Sequence, residues 1–312
     1  MQRTNIGKAA IHASAAVMGA WLAFHPLVAS AQEAKAPREA AAKPLSAPAK
    51  GENTISFSNA QNAPQKHVCA YPHAGQIRIS VENKDSTNLN SCLRDYARLV
   101  DMFADMLQND LKIAKGDHFQ FANKIYDVIR GAGYGYGNEY RGYMYLSLAY
   151  STIDCDNAAI LVFDIARKMG IPAKVAFGRS SYGPHAIVKI GDLYLDMNNG
   201  LILSSNDMRK VLLAFYFETA NPDTAAYTAY ENLGLREQRA GNYGVSISYL
   251  AKAILLAPKA ANLYLIQAKN YYLMGDVGKT ISNLNWVKAF DPNYPKLSIY
   301  FQEALLGKSG KK

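Results

Sequence analysis

Three residues suited to thiol catalysis occur along the chain in the order Cys155, His185 and Asp196. A cysteine thiolate can attack a carbonyl carbon, and an imidazole can carry the proton to the leaving group. A carboxylate can hold that imidazole in one tautomer. The backbone N–H of Cys155, at the start of a helix, could donate to the oxyanion that forms. This chemistry requires elements that bring the three side chains together, and the surrounding sequence predicts such elements.

Cys155 is predicted to open a long buried helix that ends at the helix-stopping residues Gly170-Ile171-Pro172. On a helical wheel the thiol shares a stripe with four small or apolar residues, namely Ala159, Val162, Ala166 and Met169. The opposite side carries Asn157, Asp164 and Lys168, the last two at the i, i+4 spacing of a weak ion pair. The helix N-terminus favours an anion, so we expect a lowered thiol pKa; the alternative is an inert buried cysteine.

A β-hairpin over 185–198 is predicted to position the other two residues. Gly191-Asp192 suits a two-residue type II′ turn, which pairs Ile190 with Leu193. In this register one face is apolar and carries Ala186, Val188, Ile190, Leu193, Leu195 and Met197. The other face carries His185, Ile187, Lys189, Tyr194, Asp196 and Asn198. His185 and Asp196 are diagonal neighbours there, within side-chain reach.

Over roughly residues 120–200 the sequence resembles the transglutaminase-like superfamily, a branch of the papain-like fold. The matching segments are Asp154-Cys155, Arg167-Lys168-Met169-Gly170-Ile171-Pro172-Ala173, His185, and Leu195-Asp196. The resemblance implies that Cys155 is the nucleophile, His185 the general base and acid, and Asp196 the orienting group. Papain relatives use Asn in the third role, which makes Asn198 the reserve candidate.

The segment 134–145 before the Cys155 helix is rich in glycine and tyrosine. Its tyrosines either pack on the core with solvated hydroxyls or form an aromatic rim of a substrate cleft. Tyr145 and Tyr150 are the candidates for a further oxyanion or cleft residue.

The first 31 residues are typical of a cleavable export signal, and the alternative is an uncleaved anchor. A basic start (Arg3, Lys8) precedes a short apolar core, and Ala29-Ser30-Ala31 predicts cleavage after Ala31. No later run is long enough to cross a bilayer, so we expect a periplasmic or secreted protein without a transmembrane segment in the mature chain. The formal charge of +9 is spread out and does not form one Lys/Arg stripe, which argues against nucleic-acid binding.

Three cysteines in an oxidising compartment leave one unpaired. Cys69 and Cys92 flank a predicted strand over 76–81 and could close a disulfide, which would leave Cys155 as the free thiol. No Cys or His pair has the short spacing typical of metal ligands, so neither a metal nor another cofactor is expected.

The remaining elements are predicted from apolar spacing and stop signals. Helices are expected over 93–111, 119–129 and 207–219, a strand over 173–177, and a loop over 178–184.

The C-terminal third contains a repeat with a period of 34 residues, which relates Gly241 to Gly275 and Pro258 to Pro292. Residues 225–295 resemble two tetratricopeptide repeats, in which Gly234, Ala253 and Ala268 occupy the small-residue positions. The repeats either brace the first domain or form a groove that binds a partner protein or peptide.

The sequence thus predicts an α+β protein in five parts: signal 1–31, flexible linker 32–66, transglutaminase-like domain 67–205, helical module 206–300 and basic tail 301–312. The expected function is thiol-dependent cleavage of amide or isopeptide bonds in a protein or peptide substrate, with acyl transfer to an amine left open. The alternative is a non-catalytic interaction scaffold with a degenerate form of the same fold.

Overall fold

The computed structural model describes residues 73–83, 89–114, 116–136, 144 and 151–306. The export signal, the linker, Cys69, Tyr145, Tyr150 and the last residues of the basic tail lie outside this part of the chain. None of the helices in the described ranges combines the length and apolar composition needed to cross a membrane.

The described chain is α+β, with helices around an antiparallel sheet followed by C-terminal helices. The first helices are α1 Ala74–Glu82, α2 Leu89–Asp105, which continues into a π-helical turn Met106–Asp110, and α3 His118–Gly131. Strands β1 Gly135–Tyr136 and β2 Thr152–Ile153 form a short parallel pair before α4 Cys155–Lys168. The predictions of α2, α3 and α4 are confirmed.

The strand predicted over 76–81 is wrong, because these residues belong to α1. Two sets of contacts stabilise the helix. The carboxylate of Asp164 in α4 accepts from the backbone N–H groups of Ala74 and Gly75, both at 2.9 Å, and so satisfies orphan donors of the first turn. Arg78 and Glu82, one turn apart, form a buried ion pair at 2.7 Å.

The same contacts overturn the predicted Asp164–Lys168 pair. Asp164 is fully buried and also accepts from the hydroxyl of Tyr96 at 2.8 Å, whereas Lys168 pairs with Asp101 at 2.7 Å. The side of α4 that carries Asn157 and Asp164 is therefore packed against α1 and α2.

The main sheet has the order β6-β5-β4-β3-β7 and is antiparallel throughout. Its strands are β3 Ala173–Ser180, β4 Gly183–Ile190, β5 Leu193–Asp196, β6 Leu201–Leu203 and β7 Ala214–Thr219, and the short helix α5 Ser205–Val211 lies between β6 and β7. The helix predicted over 207–219 is wrong in its second half, since 214–219 is a strand beside β3. The sheet therefore extends beyond the predicted domain boundary at 205.

The loop predicted over 178–184 is also wrong, because β3 and β4 form a continuous hairpin through it. Gly178 lies within β3, where it pairs with His185 on one side and Phe215 on the other, next to a bulge. A Cβ at this position would collide with the carbonyl oxygen of Ala214. The glycine thus permits a close backbone approach instead of marking a loop.

Both faces of the sheet are covered. The face that carries Ala186 and Val188 packs against α4 in the main core. On the other face Ile187 and Tyr194 are buried with Met208 and Leu212, which lie on and just after α5. The hairpin face expected to be polar is therefore largely enclosed.

The C-terminal helices form two helical hairpins. After the short helix α6 Pro222–Ala225, these are α7 Tyr227–Arg239 with α8 Tyr243–Leu256, and α9 Ala261–Leu273 with α10 Val277–Phe290. Corresponding helices begin 34 residues apart, and Gly241 and Gly275 turn the chain between them with φ of +79° and +80°. A last helix, α11 Leu297–Leu305, extends into the segment predicted as a basic tail.

Two buried contacts join these helices to the first domain. Arg179 of β3 donates to both carboxylate oxygens of Asp291, at 2.6 and 3.0 Å. Arg78 of α1 donates to Thr228 of α7 at 3.0 Å. Polar groups of the helical module thus bind buried arginines of the sheet domain.

Candidate active site

Helix α4 places Cys155 at its first position. Asp154 precedes it with extended backbone and accepts from the Asn157 backbone N–H at 2.9 Å, which is an N-cap. The stripe predicted to accompany the thiol is buried throughout: Ala159, Val162, Ala166 and Met169. The cysteine itself is only partly buried. A deeply packed helix therefore fixes the position of the residue that carries the thiol.

The hairpin of β4 and β5 has the predicted register. Gly191 has φ of +57°, and Ile190 pairs with Leu193 and Val188 with Leu195 across the two-residue turn. A type II′ turn has a positive φ at its first central residue only. Asp192, the second turn residue, is accordingly not among the described residues with positive φ.

This register brings His185 and Asp196 together. Nε2 of His185 lies 3.3 Å from Oδ2 of Asp196, and the two side chains are 8% and 2% exposed. When this nitrogen donates to the carboxylate, Nδ1 is the ring atom that can accept a proton. The predicted contact between base and orienting group is therefore present in the structure.

The carboxylate of Asp196 has two further donors. The backbone N–H of Asn198 donates to Oδ1 at 3.0 Å, and the side-chain amide of Asn199 donates to Oδ2 at 3.2 Å. Burial by itself would raise the pKa of Asp196, but the hydrogen bonds from His185, Asn198 and Asn199 outweigh it and hold the pKa below its ordinary value. Asp196 thus stays ionised beside the imidazole.

The reserve candidate Asn198 supports Asp196 through its backbone N–H, while the side-chain contact with His185 is made by Asp196. Asn199 was not among the predicted residues. An Asp followed by Met-Asn-Asn-Gly at a strand end is a turn signal, and an aspartate in such a turn commonly accepts from the backbone two residues on.

The sulfur of Cys155 lies at the backbone of the residue that follows His185. The N–H of Ala186 donates to it. In the hairpin, Ile190, Val188 and Ala186 direct their N–H groups toward β5, since alternate residues share one side of an antiparallel strand. Because β5 ends at Asp196, Ala186 has no partner there, and the thiol takes that place.

The thiol pKa differs from the expectation. Burial raises the pKa of Cys155 well above its ordinary value, and the nearby carboxylates of Asp156 and Asp154 raise it further. The N–H of Ala186 acts in the opposite direction, without offsetting these effects. Among the described contacts, the thiol donates its hydrogen bond to Oδ1 of Asp156 at 3.5 Å, not to His185. The lowered pKa expected from the helix N-terminus is therefore wrong, and the thiol is protonated at neutral pH.

The other predicted site features are not brought to this centre by the described residues. Cys92 is buried in α2, and its predicted disulfide partner Cys69 lies outside the described ranges, as do Tyr145 and Tyr150. Within these ranges no three His, Cys, Asp or Glu side chains come together as metal ligands would.

Comparisons of the chain with models of protein families, with curated proteins and with solved structures find no match. A function is therefore inferred from the geometry of Cys155, His185 and Asp196.

Proposed function

We propose that the protein is a transglutaminase-like thiol enzyme that acts on amide or isopeptide bonds through an acyl-thioester on Cys155. The observation that carries the proposal is the buried contact between His185 and Asp196. The residue after His185 is Ala186, whose backbone N–H donates to the Cys155 sulfur. The expected export and the protein or peptide nature of the substrate belong to the same proposal.

In the first half-reaction, Nδ1 of His185 accepts the thiol proton and the sulfur attacks the acyl carbon of the substrate. The carbonyl oxygen takes up the negative charge. When the tetrahedral intermediate collapses, the C–N bond breaks and the imidazolium gives its proton to the leaving amine. Asp196 stabilises the imidazolium and keeps the ring in one orientation throughout.

In the second half-reaction, water attacks the thioester and loses a proton to His185. The C–S bond breaks, the sulfur regains its proton, and a carboxylic acid is released. An amine in place of water yields a new amide, which is transamidation. Which acceptor reacts depends on how well the cleft excludes water.

The raised thiol pKa favours a mechanism in which His185 removes the proton during the attack. A standing thiolate–imidazolium pair would instead need a thiol pKa below that of the imidazole. We therefore expect the rate of acylation to rise with pH, because the thiol gives up its proton more readily.

A p-nitrophenyl ester tests the proposal without knowledge of the natural substrate. With p-nitrophenyl acetate, we expect the full chain to release p-nitrophenol and to carry an acetyl group on Cys155, located by peptide mass spectrometry. His185→Ala should acetylate about 100-fold or more slowly, because general-base assistance is lost. His118→Ala, at an exposed position on α3, is the matched control and should react like the wild type. Equal rates in the wild type and His185→Ala would contradict the proposal.

One observation favours the alternative, a non-catalytic scaffold with the same fold. The helical module exposes several large apolar side chains, including Val245, Leu255, Met274 and Trp286, which are 49%, 78%, 54% and 50% exposed. The scaffold predicts that a bound partner is retained by Cys155→Ala and that no acetyl group forms on the wild-type chain.

A further inference from the structure

Tyr227, the first residue of the helical module's helix α7, is buried against the sheet domain. Its ring meets Phe177 edge-on with centroids 4.8 Å apart, and lies 5.6 Å from the ring of Phe217. The side chain is 3% exposed. Three mutually packed aromatic rings therefore fix the position of this tyrosine on the sheet.

The packing places Tyr227 in the same neighbourhood as the thiol. Phe177 is the cross-strand partner of Ala186, so both project toward the α4 face of the sheet. Ala186 in turn donates its N–H to the sulfur of Cys155. The negative charges of Asp156 and Cys155 both raise the pKa of the Tyr227 phenol. This agrees with the contacts that lead from Tyr227 through Phe177 and Ala186 to the sulfur.

The hydroxyl of Tyr227 is available as a donor. In the described part of the chain, the buried Tyr96 and Tyr216 direct their hydroxyls to Asp164 and Asp291, whereas the hydroxyl of Tyr227 makes no hydrogen bond. Burial raises the pKa of Tyr227 well above its ordinary value, and the charges of Glu231, Asp156, Tyr216 and Cys155 act in the same direction. The phenol therefore keeps its proton at neutral pH.

We propose that Tyr227 is part of the reaction site and that its hydroxyl donates a hydrogen bond to the Cys155 sulfur when the sulfur is negatively charged. The inference rests on the proposed function, in which that sulfur is the nucleophile. The helical module then supplies a residue of the active site in addition to its packing contacts. This role differs from both a brace and a partner-binding groove.

The test is Tyr227→Phe in the full chain, which removes the hydroxyl and keeps the ring that packs on Phe177 and Phe217. The readout is the apparent pKa of Cys155, taken from the pH dependence of iodoacetamide labelling at that peptide. The groups that act on the sulfur are Asp156 and Asp154 from α4 and the Ala186 N–H from β4. His185 precedes Ala186 on β4, and the charge of the sulfur acts in turn on Tyr227 of α7. Loss of a hydrogen bond to the charged form should raise the apparent pKa by about one unit, a tenfold lower thiolate fraction at a given pH.

Tyr230→Phe is the matched control. This tyrosine lies one turn further along α7, where its ring faces Lys252 at 5.8 Å. The control should leave the labelling profile of Cys155 unchanged, and both variants should melt at the wild-type temperature. A Tyr227→Phe profile identical to the wild type would overturn the inference.

Acetylation by p-nitrophenyl acetate separates this inference from the proposed function. A wild type that acetylates in a His185-dependent way, with an unchanged labelling profile in Tyr227→Phe, sustains the proposed function and removes Tyr227 from it. A wild type that does not acetylate, with a raised thiol pKa in Tyr227→Phe, retains the contact and overturns the catalytic role.

Discussion

The two sides of the candidate active site are supported in different ways. On the sheet side, the Asp196 carboxylate accepts from His185, Asn198 and Asn199, and its pKa is lowered. On the helix side, the pKa of the Cys155 thiol is raised by burial and by the nearby carboxylates of Asp156 and Asp154. His185 and Asp196 are thus held in contact, whereas the Cys155 thiol is held in its protonated form.

The difference follows from where the neighbours come from along the chain. The donors to Asp196 lie within the same hairpin and its following turn, so local structure is sufficient to build that side. The environment of Cys155 comes from its own helix, from Ala186 of β4 and, by our proposal, from Tyr227 of the helical module. Activation of the thiol therefore depends on the packing of the two parts of the protein.

The largest effect should come from Asp196→Ala, which removes the support of the sheet side. Without the carboxylate the imidazole loses its tautomer and orientation, and acetylation of Cys155 should slow by about 10²- to 10⁴-fold. Stopped-flow release of p-nitrophenol measures the rate.

Asn199→Ala provides a graded comparison, since it removes one of the donors and leaves the carboxylate in place. Its rate should fall between those of the wild type and Asp196→Ala. An Asp196→Ala variant that folds and reacts at the wild-type rate would show that His185 needs no orienting group.

The next effect is on stability and tests the attachment of the helical module. Asp291→Ala leaves the guanidinium of Arg179, which is 5% exposed, without its bidentate partner. Breaking a buried pair on one side should lower the free energy of unfolding by about 3 kcal/mol, as measured by urea denaturation.

Lys279→Ala is the control for that loss, because it breaks an exposed pair with Asp276 on α10. Such a pair contributes roughly 0–1 kcal/mol. Equal losses in the two variants would mean that Arg179 and Asp291 do not hold the module to the sheet.

A smaller effect, of opposite sign, is expected from Asp156→Asn on the helix side. Asp156 raises the thiol pKa both through its charge and by accepting the thiol hydrogen bond at 3.5 Å. Its neutralisation should lower the apparent pKa of Cys155 by about one unit, which increases iodoacetamide labelling at neutral pH about tenfold.

Asp154→Asn is the comparison within the same turn, and asparagine preserves the N-cap of α4. We expect a smaller decrease in thiol pKa than in Asp156→Asn, since Asp156 is the stronger influence. Labelling that does not respond to either substitution would contradict the assignment of these carboxylates.

The parts of the site that sequence predicted are those with local signals. The cap and stop residues of α4 and the Gly191-Asp192 turn lie within the elements they define, so the position of Cys155 and the proximity of His185 to Asp196 follow from short-range rules. The same hairpin register correctly separated its two sets of side chains, although α5 encloses the second face.

The parts that sequence missed depend on residues far apart in the chain. The sequence predicts a strand over 76–81, but Asp164, about 90 positions later, accepts from the first backbone N–H groups of a helix there. Gly178 resembled a loop residue until β7 was known to approach it. The rise in the thiol pKa arises from burial that no local pattern reveals.

The smallest effect concerns buried carboxylates whose pKa values shift in opposite directions. Asp196 has a lowered pKa, so its contribution to stability is present above its unfolded pKa and is lost only as the pH falls through the folded value. Glu82 is different. Burial raises its pKa to about 7, against the lowering effect of Arg78 and of the Met144 backbone N–H. Asp164 is also raised, to about 6, chiefly by burial.

For Glu82 and Asp164 the folded state binds protons that the unfolded state has released, so stability is greatest below their unfolded pKa values and falls as pH rises toward 7. Glu82→Gln keeps an acceptor for Arg78 and Met144 but cannot titrate. Urea unfolding at pH 5 and pH 7.5 should show a decrease in stability that is about 1 kcal/mol smaller in Glu82→Gln than in the wild type. Glu303→Gln, exposed on α11, should keep the wild-type decrease. An equal decrease in all three proteins would mean that Glu82 is already ionised at pH 5. Arg78 would then hold the Glu82 carboxylate in its charged form. The contribution of Glu82 to the free energy of unfolding would then be as independent of pH near neutrality as that of Asp196.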